Sequence, residues 1–230
     1  MTRQITETPP VKFARAAGLL YLIIIACGIF SEVVVRSSLI EWDNPAATAS
    51  NLLASQWLFR IGFAADSIML LADVAIAALF YILLKPVNKN LALMAAAFRL
   101  TQAAVLGLNL LNYYIPLLLV TGAGYATAFS AEQLNGLVML NLQMHSHGYD
   151  TGLLFFGVSN IFLGYLVIKS GYFPAVLGYG LIAAAIVYLL GSFTRFLFPD
   201  FVSMMMPLYI IPLIAELAFA LWLLIKGVKN

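Results

Sequence analysis

Between Phe13 and Ile225 the chain runs through six mostly apolar stretches, each about 20 residues or longer, enough to cross a bilayer as a helix. They are Phe13–Val35, Trp57–Leu84, Leu91–Thr121, Tyr149–Ile168, Pro174–Phe196 and Met204–Ile225. Hydrocarbon offers no partner to a backbone N–H or C=O, so each stretch must satisfy its own backbone as a helix. The second and third exceed the hydrocarbon thickness and are expected to tilt or project. Composition closes the soluble alternative. The chain is 63% hydrophobic and 10% charged, with a mean hydropathy of +0.98, whereas soluble domains carry about 25% charged residues. The reading is all-α: a polytopic membrane protein, one six-helix transmembrane domain across residues 1–230.

The basic residues orient the bundle, because cytoplasmic loops and ends are enriched in Lys and Arg. Arg3, Lys12, Arg15, Lys85, Lys89, Lys169, Lys226 and Lys229 fall on one side, against Arg36 and Arg195 on the other. Arg60 and Arg99 lie within spans. Both termini are therefore expected in the cytoplasm. A net charge of +2 with no basic patch gives no reason to expect nucleic acid. The single cysteine, Cys27, excludes an internal disulfide and a Cys-rich metal site. "IIAC" at Ile24–Cys27 has the shape of a lipoprotein cleavage box. The apolar run continues through Gly28–Phe30, however, so a retained first helix is expected.

Two outer connections read as amphipathic helices. Asp43–Arg60 opens on capping residues and Pro45, then spaces Leu52, Leu53, Trp57 and Leu58 on one face. Ser130–Met144 opens on the capping-box pair Ser130 and Gln133, and would lie on the surface or lead into the next span. A shift of 84 residues aligns Asp66 with Asp150, Tyr81 with Tyr165 and Lys85 with Lys169. That register suggests a parallel internal repeat, 46–121 and 130–205, with the aspartates at equivalent outer ends of spans two and four.

Charges inside a membrane face the bundle interior and pair. At about 1.5 Å rise per residue, Asp73, Arg99 and Glu216 lie about 12 to 16 Å from the cytoplasmic end. They are the expected mid-membrane ion pair, Arg99 with Asp73, Glu216 or both. Arg99, Gln102, Leu106, Asn109 and Tyr113 fall in one stripe of span three. Higher up, Glu32, Arg60, Asp66, Asn109, His147 and Asp150 reach a common level, predicting an outward-opening polar crevice.

Both histidines lie in "MHSHGYD", Met144–Asp150. His145, His147 and Asp150 could ligate a divalent metal, with Glu32 or Asp66 as a further ligand or base. Histidines two apart stand about 200° apart on a helix, so this requires irregular backbone, which Gly148 permits. Hydrogen bonding at the helix entry is the plainer alternative. No lysine lies deep in a span, and no phosphate loop or nucleophile elbow occurs.

"WLFRIGFAADSIMLLADVAIAALFYILLKPVNKNLALMAAAFRL" and "GVSNIFLGYLVIKSGYFPAVLGYGLIAAA", with "ARAAGLLYLIIIACGIFSE" before them, resemble a bacterial membrane family known as domain of unknown function 4386. Phe59–Arg60, Leu83–Lys89 and Phe98–Leu100 carry the resemblance most specifically. It implies a bacterial inner-membrane protein and transfers neither activity nor site residues. Three readings of function follow. The first is binding or movement of a small or lipid-like ligand through the crevice, with membrane lipids as surroundings and no cofactor. The others are an intramembrane metal-dependent hydrolase, and a structural or accessory membrane subunit.

Overall fold

The computed structural model describes residues 10–122 and 124–228, with the side chain of Tyr125 left out. Arg3 and Lys229, used above for orientation, lie outside the described residues. Among the described residues the chain is helical and without strands, and six helical stretches are long and apolar enough to cross a membrane. This is a multi-pass membrane protein.

The first stretch begins as α1 (Pro10–Ile29), passes through a π-helical segment (Phe30–Arg36) and ends as α2 (Ser37–Leu39). Next comes α3 (Pro45–Ala54), the first expected amphipathic helix, capped by the Asn44 side chain accepting from the Ala47 N–H at 3.0 Å. The long helices α4 (Gln56–Leu84) and α5 (Lys89–Val120) follow, joined by a turn in which Asn88 caps α5.

The second expected amphipathic helix is not separate. It forms the first part of α6 (Ala131–Ser170), a 40-residue helix about 60 Å long. Ser130 and Gln133 form the capping box, and no proline follows to stop the helix before the membrane. It ends at Gly171, whose φ of 68° suits a left-handed C-cap.

After α7 (Ala175–Leu197) come a 3-10 turn, α8 (Val202–Met205), a second 3-10 turn (Met206–Tyr209) and α9 (Ile210–Ile225). Span six therefore enters less regularly than its hydropathy suggests. Pro207 and Pro212 have no N–H to continue an α-ladder.

Each long helix packs on the next in chain order, α1 on α4, α4 on α5, α5 on α6, α6 on α7 and α7 on α9. α9 then closes on α1. The six spans thus form a ring with a shared interior. Outside it stand apolar side chains such as Leu71 and Leu108, each 72% exposed, as a lipid-facing surface requires.

The end holding Lys12, Lys85, Lys89, Lys169 and Lys226 is tightly packed. Tyr21, Phe80 and Phe219 meet edge to face or tilted within a core that includes Ala14, Ala17, Leu83 and Leu166. At Gly18 an added Cβ would lie 2.8 Å from the Ala220 carbonyl oxygen, so α1 and α9 nearly touch there. Gly164 and Gly178 bring α6 and α7 equally close.

Candidate functional site

The opposite end of the ring is hollow. A cavity of about 330 Å³ is walled by Glu32, Arg36 and Ser37 of the first helical stretch, Trp42 of the loop after it, His145, Tyr149 and Asp150 of α6, Arg195 of α7, and Met205 and Tyr209 before α9. The π-segment shapes one wall. Its wider turn lets the Glu32 carbonyl accept from both the N–H and the Oγ–H of Ser37, the latter at 2.8 Å. Ser31 donates to the Gly62 carbonyl at 3.0 Å and pins this turn to α4.

Two arginines carry the electrostatics. Arg36, only 8% exposed, donates Nε–H to Glu32 and an Nη1–H to Asp66, both at 2.7 Å. Its guanidinium carbon lies 5.8 Å from the centre of the Tyr113 ring. Arg195 pairs with Asp150 at 3.0 Å and donates to the Ser146 hydroxyl at 2.7 Å. Asn109 and His145 clasp α5 to α6. The Asn109 amide donates to the His145 carbonyl at 2.7 Å, and His145 Nδ1 lies 3.2 Å from the Asn109 carbonyl. A carbonyl only accepts, so Nδ1 carries hydrogen and Nε2 of the neutral ring is a bare acceptor. Nε2 is buried without a partner in a residue that lines the cavity.

A second cavity of about 190 Å³ continues inward and shares Gly28, Tyr149 and Tyr209 with the first. Asp73, Gln102, Phe156, Tyr188 and Glu216 line it. Beside it Arg99, 1% exposed, donates from Nε and Nη2 to Asp73 Oδ1 at 2.9 and 2.6 Å. Its guanidinium carbon lies 4.9 Å from the Phe156 ring centre and 5.2 Å from that of Tyr21. Gln102 donates to the other Asp73 oxygen at 3.3 Å.

Comparison with known proteins then places the chain. It matches the family described as "Domain of unknown function (DUF4386)" over residues 16–227. The chain belongs to this family. It is also 31% identical over 163 residues to an "Uncharacterized protein" of Archaeoglobus fulgidus, covering 70% of this chain and 81% of that one. No solved structure matches.

In this DUF4386 protein the residues singled out from sequence do not all converge. Glu32 and Asp150 line the larger cavity, Asp66 stands behind Arg36, and Asn109 acts through its clasp on His145. Arg60 lies elsewhere, in a separate and more open pocket with Trp57, its guanidinium donating to the Tyr114 hydroxyl at 3.2 Å. His147 faces away, exposed beside Phe196, its Nδ1 2.8 Å from the Gln143 carbonyl. The helix stays regular through His145 and His147, so the two rings diverge, as 3.6-residue periodicity requires. Among the described residues no three His, Cys, Asp or Glu side chains gather to hold a metal ion. Gly148 does not loosen the backbone. It makes room for Asn109, which an added Cβ would strike. Glu216 accepts from the Asn160 amide at 3.2 Å, and Arg99 forms its salt bridge with Asp73 alone.

Arg36 and Arg195 were read from sequence only as outer loop charges. The signal that could have found them was present. They are the two cations that fall in the outer connections, and Arg36 follows Glu32 at the i,i+4 spacing of a helical ion pair.

Proposed function

We propose that this is a bacterial inner-membrane protein, both termini cytoplasmic, that binds or moves a small or lipid-like ligand through an outward-facing polar crevice. The observation that carries this reading is the 330 Å³ cavity at the ring's mouth, whose polar groups come from several helices and which leads into a deeper chamber. A concave, mostly apolar space with a few convergent polar groups is the usual form of a ligand site. The lysine-bearing turns at the far end favour the stated orientation. A lipid-like ligand is favoured by the seam between α1 and α9. The helices nearly touch at Gly18, yet Ile25, Ile29 and Leu213 farther along both line the inner chamber. Ile29 and Leu213 are 45% and 39% exposed on the ring's flank.

Cysteine accessibility tests this. In a Cys27→Ala background, Ser37→Cys and Ser146→Cys should react with a membrane-impermeant maleimide on intact cells, and Ser170→Cys only after permeabilisation. The reverse pattern overturns the orientation, and failure of both crevice positions to react in either condition overturns the crevice.

A further inference from the structure

The two cavities and the ion pairs that border them hold five carboxylates, Glu32, Asp66, Asp73, Asp150 and Glu216. Only three guanidiniums, Arg36, Arg99 and Arg195, stand against them. Each guanidinium is already spent on a carboxylate. Glu216, 7% exposed, has no salt-bridge partner among the described residues. Several of the buried polar atoms left without a partner are acceptors, although Arg99 Nη1 is an unpartnered donor. Asp66 Oδ1 and His145 Nε2 are buried without a hydrogen-bond partner, and His145 lines the larger cavity. Tyr149 and Tyr209 border both chambers, with Trp42 at the outer one and Tyr188 and Phe156 at the inner one. Aromatic walls with an unmatched carboxylate recognise cations, and quaternary ammonium groups above all.

We propose that the ligand of the crevice is an organic monocation of the ammonium type, with the Glu216 carboxylate as its counter-ion. This rests on the crevice reading above and names the ligand class. On this proposal a proton balances the Glu216 carboxylate in the empty crevice, where it accepts from the Asn160 amide but no guanidinium pairs with it. Binding then exchanges cations. The ammonium enters, the Glu216 O–H bond breaks, and one proton leaves through the crevice, so charge balances. The groups facing Glu216 are Tyr21 of α1, Asp73 of α4, Arg99 of α5, Asn160 of α6 and Tyr188 of α7. Asp73 and Arg99 neutralise one another, which leaves Glu216 as the exchangeable site.

The test uses detergent-purified full-length protein, choline as the probe, and 3,3-dimethylbutan-1-ol as its neutral isostere. Calorimetry should show choline binding that strengthens as pH rises, with about one proton released per choline in weak buffer. The isostere should bind far more weakly. Glu216→Gln should weaken choline binding about thirtyfold or more, as for loss of one partner of a buried charge pair. Equal binding of choline and its isostere overturns the proposal, as does choline binding without proton release. No choline binding at all also overturns it. Because wild-type protein supplies the proton count, misfolding of the variant does not blunt the test. The cysteine labelling above reports on the crevice separately, so the ligand class can fail while the crevice stands.

Discussion

The two ends of the ring follow opposite rules. The lysine-bearing end is closed by small residues, Gly18 against Ala220 and Gly164 against Gly178, and filled by Tyr21, Phe80 and Phe219. The other end brings Arg36, Asp66, Asp150 and Arg195 together around open space. Between them sits Arg99–Asp73, sealed by aromatic faces. Close packing of helices supplies association where lipid gives no hydrophobic drive. The crevice end can therefore stay polar and hollow because the other end holds the helices together.

The sharpest way to break that contrast is a large side chain at the closed end. Gly178→Leu would drive a side chain into the Gly164 carbonyl, and should leave no monodisperse protein on size-exclusion chromatography. Survival with normal melting would show that the closed end is not what holds the ring. Next in size is Asp73→Leu, which strands Arg99 and should cost about 3 to 5 kcal/mol in detergent unfolding. The double variant Asp73→Leu/Arg99→Leu should recover a substantial part, since an apolar pair replaces a buried charge without a partner. Asn109→Ala, which opens the α5–α6 clasp, should cost about 1 to 3 kcal/mol. Arg195→Ala at the open mouth should cost about 1 kcal/mol or less, because Arg195 is 29% exposed and solvent screens its pair. If it costs as much as Asp73→Leu, the two ends do not differ as described. His147→Ala should change melting least, within about 0.5 kcal/mol.

Much of the fold was legible because membrane helices write their length in apolar residues. Spans two, three and five agree with α4, α5 and α7 within about two residues. Hydropathy cannot show where a helix continues past the hydrocarbon, so α6 looked shorter than it is, although its capping box marked the true start. The stripe Arg99, Gln102, Leu106, Asn109 and Tyr113 is buried throughout, as 3.6-residue spacing implies. Arg60 and Arg36 were harder to place. Depth along a helix says nothing of the direction in which a side chain leaves it, and the π-segment shifts that direction for everything on one side. Local periodicity does not encode such a shift.

That segment has a consequence for how the chain tolerates length changes. A π-turn holds about one residue more than an α-turn, so the stretch Phe30–Arg36 is a place where the helix carries a spare residue. Removing one residue between Ile29 and Ser37 would let an ordinary α-ladder run through without a break, while rotating α1 by about 100° against Ser37 and the loop beyond. Among single-residue deletions in the spans, this one would leave the backbone hydrogen bonds most nearly intact while dismantling the wall of the cavity. Length at this point of the sequence is part of the site, as much as the identity of Glu32 or Arg36.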